Sequence, residues 1–363
     1  MARKFNVAVF GATGAVGREM VKVLDYRNFP INTIQLYASE NSAGKRARLR
    51  NGELVAGRNG LRERNYFGTM QDLHDGGISI QSADSADMRN IDIALLAISR
   101  SWSSANAERM AEHCLVIDNS SAFRYRDDIP LVIPEVNPDA VCDARLIANP
   151  NCTTAIAALP LWQLHRNFGG LTRVSIATYQ AASGAGNKGT TELREGTLAA
   201  LEGRDYDYKV FQHPLAFNVI PHIDEFQEND YTREEMKVVW ETRKIFGDIS
   251  PRISCTCARV PVERVHSEDI SIETGLPFSL EKAVNLFEAA YGIKVCDSPL
   301  DNLYPMPLTA AGKYDVEVGR IRRDLASIDP ERSLKFWVSG DQLLKGAALN
   351  AVQIAEIAAG IYK

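Results

Sequence analysis

Cys152 sits in Ala148-Asn149-Pro150-Asn151-Cys152-Thr153-Thr154, directly before the apolar-rich run Ala155 to Phe168. Asparagine is a good helix N-cap, so the pattern predicts a helix with the cysteine in its first turn. Free N–H groups and the positive end of the helix dipole favour thiolate over thiol there, which makes a nucleophile. Alone, the segment also fits a buried, inert cysteine, the commoner fate of this residue type. A second set of reactive groups stands in Arg259-Val-Pro-Val-Glu-Arg-Val-His266-Ser267. His266 could carry a proton near neutral pH, and Arg259 could grip a carboxylate in bidentate fashion. A structural histidine fits that pattern too.

Three further segments are candidates. Tyr179-Gln180-Ala-Ala-Ser183-Gly184-Ala-Gly186 reads as a strand running into a small-residue loop, which permits close approach of a substrate or is a plain turn. Glu234 to Lys244 reads as a helix with Lys237, Glu241 and Lys244 on one face, either a binding surface or a solvated ion-pair face. Asp118-Asn119-Ser-Ser-Ala-Phe-Arg124 follows a buried strand; in a doubly wound sheet, ligands bind at that end of a parallel strand. Arg124 there suits a phosphate, or is an exposed structural arginine.

These groups need a scaffold, and its first piece is Val7-Ala-Val-Phe-Gly11-Ala-Thr13-Gly14-Ala15-Val16-Gly17. The order strand, glycine turn, helix start, spaced G-x-x-G-x-x-G, suits a dinucleotide: Gly11 for the turn, Gly14 for approach to a pyrophosphate, Gly17 for helix packing. A glycine-rich turn without a ligand is the alternative. The second strand ends near Ser39, followed by Glu40, Asn41, Ser42, Lys45 and Arg46. Hydroxyls and cations there favour the 2′-phosphate of NADP over the ribose hydroxyls of NAD.

Composition bounds the rest. A chain of 363 residues has room for two domains. With 45% hydrophobic and 24% charged residues and a net charge of −5, it offers no electrostatic reason to bind nucleic acid or anionic membrane. No apolar stretch has spanning length and the N-terminus carries no signal core, so a cytoplasmic setting is expected. Cys114, Cys142, Cys152, Cys255, Cys257 and Cys296 match neither a disulfide framework nor a metal knuckle, and no metal is expected. Cys255 and Cys257 alternate within Ile253–Val260 and read as small core residues of a strand.

Patterning places Phe5–Phe10, Ile34–Ala38, Ile91–Ile98 and Leu115–Asp118 as strands, with helices at Gly14–Asn28 and Ser103–His113, hence parallel βαβ units. Beyond Cys152, strands are expected at Leu171–Tyr179, Ile253–Val260, Glu268–Thr274, Asp315–Gly319 and Ser333–Val338. Helices are expected at Thr190–Leu201, Arg233–Ile245 and Leu280–Ala290, which makes an α+β domain. The apolar segment Gly346 to Ala359 reads as a helix returning to the first domain.

In their order, these segments resemble aspartate-β-semialdehyde dehydrogenases. The resemblance runs through Gly11–Gly17, Ser39–Lys45, Asn119–Arg124, Val132-Ile-Pro-Glu-Val-Asn137, Asn149–Cys152, Gln180–Gly186, Arg259–His266 and Lys345-Gly-Ala-Ala-Leu-Asn350. It implies an α/β fold: a Rossmann-type parallel sheet over 1–150, completed by 345–363, and a glyceraldehyde-phosphate-dehydrogenase-like α+β domain over 151–344 for catalysis and oligomerisation. It implies a homodimer or homotetramer. The implied reaction turns aspartyl-4-phosphate and NADPH into aspartate semialdehyde, NADP and phosphate, toward lysine, methionine, threonine and isoleucine. It casts Cys152 as nucleophile and His266 as acid–base residue, removing the hydroxyl proton of a hemithioacetal, with Gln180 positioning the acyl group. Arg259 would hold the substrate carboxylate, Glu241 its ammonium, and Arg124, Lys244 and Asn119 its phosphate. The cofactor would be NADP, at Gly11, Thr13, Gly14, Ala15, Val16, Gly17, Ser39, Ser42, Ser183, Gly184 and Asn350.

Two places depart from the family's pattern. A small-residue loop after the fourth strand is replaced by Ser99-Arg100-Ser101-Trp102, and Asn41 stands where relatives often carry a cation. Rival readings are an N-acetyl-glutamyl-phosphate reductase, whose substrate would leave Glu241 without use, a malonyl-CoA reductase, and a relative that keeps the fold without catalysis. Retention of cysteine, histidine, glutamine and both arginines speaks against the last.

Overall fold

A computed structural model describes residues 3–44, 46–50, 53–56 and 78–362, with backbone alone for 46–50 and 53–56. The chain divides into two compact units, one of residues 1–134, 138–150 and 347–363, the other of 135–137 and 151–346.

The first unit runs β1 (Phe5–Phe10), α1 (Ala15–Tyr26), β2 (Ile31–Ala38), β3 (Arg46–Arg50), β4 (Glu53–Ala56), β5 (Ile78–Ser82), β6 (Ile93–Leu96), α2 (Arg100–Ala111), β7 (Leu115–Asp118) and β8 (Leu146–Ala148). The sheet order is β4-β3-β5-β2-β1-β6-β7-β8. Six strands are parallel, and β3 and β4 extend one edge antiparallel. Val7, Ala8, Val9, Phe10 and Ile93 to Leu96 are all buried, as continuous apolar runs covered on both faces must be. Every βα turn of this parallel order opens at the carboxyl ends of the strands, where Gly11, Ser39, Ser99 and Asn119 lie. The chain's last helix, Leu349–Ala358, is almost wholly buried and packs on α1 and β7 of this unit.

The second unit holds α3 (Cys152–Asn167), β9 (Leu171–Gln180), α4 (Gly186–Leu201), α5 (Arg233–Phe246), β10 (Arg252–Arg259), β11 (His266–Thr274), α6 (Leu280–Ala289), β12 (Ile293–Val295), α7 (Pro307–Ala310), β13 (Val316–Arg322) and β14 (Ser333–Gly340). Its mixed sheet runs β10-β9-β11-β14-β13-β12. α3 lies across β9, β11, β13 and β14, with α5 beside it over β10. Ile156, Leu159, Leu161 and Leu164 of α3 are buried against the sheet, each contributing about 1.5–3 kcal/mol of hydrophobic stabilisation. This packing is what fixes the first turn of α3, and with it Cys152, over the ends of β9 and β11.

Strand bounds differ modestly from the patterning. β11 begins at His266 rather than Glu268, because alternation continues through two polar residues that are themselves buried. The segment after β14 forms a π-helical turn, Leu344–Ala348, before the last helix. Among the described residues, no helix is long and apolar enough to cross a membrane.

Candidate active site

In the first unit, β1 runs into Gly11 at φ +77°, where a Cβ would lie 2.0 Å from the Ala97 carbonyl oxygen. A Cβ at Gly17 would lie 2.2 Å from the Gly11 oxygen, so both positions require glycine. α1 then starts from Gly14 without a side-chain cap and without an acidic first-turn residue. Uncapped N–H groups at the positive end of a helix suit a pyrophosphate, and this cradle fits a dinucleotide. Ser39 directly follows β2 and opens a short turn in which the Ser42 N–H donates to the Ser39 oxygen at 2.8 Å. Lys45, expected to supply charge there, lies outside the described residues. The departing loop has its own logic: the Trp102 ring packs 5.4 Å from that of Phe10, and its Nε1 donates to Asp84 at 2.7 Å.

Asn119, Arg124 and Asn350 belong to one network of this unit. Asn350 Nδ2 donates to the Val132 oxygen at 2.9 Å and to Asn149 Oδ1 at 2.7 Å. Asn149 donates to Asn119 Oδ1 at 2.8 Å, and Arg124 Nη2 donates to the Asn119 carbonyl at 2.7 Å. The expected ligand roles of Asn119 and Asn350 meet amides already engaged in bracing the strand ends.

In the second unit, α3 begins at Cys152, which is half-buried. Asn151 caps it, its Oδ1 accepting the N–H groups of Thr153 at 3.0 Å and Thr154 at 3.3 Å. Gln180 ends β9 and Arg259 ends β10 in register with it. Gln180 Nε2 donates to Thr153 Oγ1 at 3.0 Å and lies 3.4 Å from Glu234 Oε1. Arg259 Nη1 donates to the Ala181 oxygen at 2.6 Å. His266 opens β11, and its Nδ1 accepts the Ala181 N–H at 3.1 Å. A backbone N–H only donates, so the proton of the neutral ring sits on Nε2, which has no hydrogen-bond partner among the described residues.

Gly184 keeps the space beside Arg259 and His266 open. A Cβ there would lie 2.7 Å from Arg259 Nη1 and 3.4 Å from His266 Nε2. The cofactor role expected of Ser183 meets a hydroxyl that already donates to the Glu263 carbonyl and accepts from Gln342. Gly184 is a wall of the Arg259–His266 pocket.

Burial, reinforced by the nearby Arg259 charge, pushes His266 down to about 3, so the ring is neutral. Glu234 is lowered too, but that keeps it ionised: burial alone would raise it, while the Lys237 ammonium, Asn151 and Arg259 together hold it at about 2. Lys237 Nζ donates to Glu234 at 2.9 Å and to Asp224 at 2.7 Å.

α5 brings two of its buried carboxylates to Asn151. Glu241 is fully buried, and its Oε2 accepts the Asn151 N–H at 2.5 Å, supporting the helix start from below. The carboxylate that meets Gln180 and the Asn151 amide is Glu234, about two turns earlier on the same face. Its cation is Lys237, two turns before Lys244, which lies in the last turn. Sequence spacing showed the face but not which of its residues points into the site.

One residue was missed altogether. Glu268 follows His266 by two on the same face of β11, is fully buried, and neither carboxyl oxygen has a hydrogen-bond partner among the described residues. Burial drives its pKa well up, which favours the neutral acid over the carboxylate. The signal was a charged residue inside the apolar alternation Glu268, Ile270, Ile272. Among the described residues, no group of three or more His, Cys, Asp or Glu is placed to hold a metal.

Two family models and several known proteins match the chain. Residues 6–144 match the family described as semialdehyde dehydrogenase, NAD binding domain, and residues 161–345 that described as semialdehyde dehydrogenase, dimerisation domain. An aspartate-semialdehyde dehydrogenase of Aquifex aeolicus is 43% identical over 97% of both chains, and one of Bacillus subtilis is 40% identical over 98% of both. The solved structure of aspartate semialdehyde dehydrogenase II from Vibrio cholerae, complexed with ASA, is 39% identical and covers 100% of both chains with a TM-score of 0.88.

Proposed function

The chain belongs to the aspartate-semialdehyde dehydrogenase family, and from that premise we propose that it reduces aspartyl-4-phosphate to aspartate 4-semialdehyde with NADPH, through a thioester on Cys152. The product would feed lysine, methionine, threonine and isoleucine synthesis. The observation that carries the reading is the convergence of Cys152, Gln180, Glu234, Arg259 and His266 on one buried end of the second unit's sheet.

The residues divide the work by charge. Arg259 takes the substrate α-carboxylate, and Glu234, held ionised, takes the ammonium. Lys237, beside Glu234, is the second unit's cation for the phosphate. Cys152 attacks the acyl carbon; the C–O bond to phosphate breaks, phosphate leaves with its electron pair, and a thioester remains. The positive end of the α3 dipole stabilises the oxyanion as it develops beside Cys152. When bound, the nicotinamide cofactor supplies the hydride. His266 then donates its Nε2–H hydrogen bond to the negative oxygen of the tetrahedral carbon, as a neutral electrophile rather than as the base expected from sequence. That oxygen's electrons re-form the carbonyl, and Cys152 departs as thiolate.

Gly11 and Gly17 form the cradle for the dinucleotide, while Ser39 and Ser42 support NADP over NAD. A lower KM for NAD than for NADP would overturn that choice. The dimerisation description of residues 161–345 supports a homodimer, or a homotetramer built from it. Six cysteines, with no disulfide among the described residues, suit a reducing compartment such as the cytoplasm. The test is phosphate-dependent reduction of NADP with aspartate semialdehyde as substrate. Cys152→Ala abolishes this turnover while NADP still binds; substantial residual activity would remove Cys152 from the mechanism.

A further inference from the structure

The segment leaving β14 reaches the supports of both reacting groups, and the chemistry above makes no use of it. At its far end Gly346 lies inside a π-helical turn, although glycine is among the poorest helix formers. The reason is space: a Cβ at Gly346 would lie 2.8 Å from Cys152 Cβ and 3.1 Å from its Cα. π-turns of this kind occur often at functional sites. Lys345 beside it is anchored by a buried ion pair with Glu135, the two side chains being 1% and 5% exposed.

At its near end the segment grips the approach to His266. Val265 is fully buried at φ +82°, a conformation that a β-branched residue adopts only under constraint. Its N–H donates to Gln342 Oε1 at 2.7 Å. The preceding Arg264 donates to the fully buried Asp341 at 2.7 Å, and the Gly346 N–H returns to the Asp341 carbonyl at 3.2 Å.

We propose that Asp341–Gly346 is a positioning strap for both reacting groups: Gly346 seats Cys152, and Gln342 holds the strained Val265 turn that aims His266. This rests on the roles assigned above to Cys152 and His266. One element then sets the thiol and the hydrogen-bond donor together, so neither depends on substrate to find its place.

The test uses the full-length protein with three variants. Gly346→Ala should slow alkylation of Cys152 by iodoacetamide, and the burst of phosphate from acyl phosphate, by about 100-fold, the scale of an ångström-sized misplacement. Gly340→Ala, whose Cβ would lie 2.8 Å from Ile156 on the same helix, is the packing control. It should lower the melting temperature comparably but leave alkylation within about twofold, because it does not touch the cysteine. Gln342→Leu should leave alkylation and the phosphate burst intact while slowing the hydride-dependent step by about tenfold or more. If Gly346→Ala does not fold, the Gln342→Leu split decides alone. Unchanged alkylation in Gly346→Ala, or equal slowing of both half-reactions in Gln342→Leu, overturns the strap. Failure of the underlying reading looks different: a phosphate burst that survives Cys152→Ser in the unaltered strap.

Discussion

The two regions that would meet the reactants are built by different means. Around Gly11 and Gly17 the first unit works with backbone: two absent side chains, a strand end and an uncapped helix start, all within Phe10–Gly17. At the end of the second unit's sheet, side chains do the work, and they come from α3, β9, α5, β10 and β11. The first region tolerates almost no added atom but carries no buried charge of its own. The second holds a buried carboxylate, a guanidinium and a neutral imidazole in mutual balance. A backbone site thus fails by steric clash, and a side-chain site by loss of charge balance.

The sharpest way to break the contrast is Gly11→Val, which forces a branched side chain onto a backbone contact of 2.0 Å at φ +77°. NADP binding should fall by more than about 100-fold, with destabilisation of about 3 kcal/mol or more, while alkylation of folded Cys152 stays near wild type. Equal loss at both sites, measured by titration and by iodoacetamide, would deny the separation.

Next in size is Glu234→Gln. Removing one member of a buried charge set costs about 3–5 kcal/mol, part of which reaches the transition state, so kcat/KM should fall by about 100-fold. Glu241→Gln keeps an acceptor for the Asn151 N–H, and its kcat/KM should fall by less than about tenfold. Steady-state kinetics showing the reverse order would restore Glu241 as the ammonium partner.

Smaller, and diagnostic by sign, are two pH dependences of stability. His266 in the folded chain titrates at about 3 against 6.5 unperturbed, so acidification from 6.5 toward 3 protonates the unfolded chain first. Wild type should therefore lose stability over that window by up to about 1.4 kcal/mol per pH unit more than His266→Gln. Glu268 is raised above its ordinary 4.5, so its contribution runs oppositely: it is full below 4.5 and falls as pH rises. Relative to wild type, Glu268→Gln should gain up to about 1.4 kcal/mol per unit above pH 4.5, seen by urea unfolding. A flat difference would mean that Glu268 is already ionised or paired. Smallest is Ser183→Ala, expected to change the KM for NADP by less than about threefold, because its hydroxyl is spent on Glu263 and Gln342.

The same contrast explains what could be read in advance. The glycine loop is contiguous, and the need for glycine at Gly11 and Gly17 was legible because each answers to a local backbone demand. Cys152 was legible through Asn151, because capping is local. Glu234 was not separated from Glu241 because both lie on one helical face, and only tertiary packing decides that Glu241 turns under Asn151. The tautomer of His266 depends on Ala181, 85 positions away in sequence. Gly346 looked like part of an ordinary helix because its reason for being glycine is Cys152, far away along the chain.

The central claim, that Cys152 accepts the acyl group, is tested most directly by mixing the protein with aspartyl-4-phosphate without NADPH, quenching in acid and mapping the peptides by mass spectrometry. The account predicts one aspartyl adduct, on the Cys152 peptide, labile to hydroxylamine, with one equivalent of phosphate released per site. Phosphate release without an adduct, or an adduct on any other residue, would contradict it.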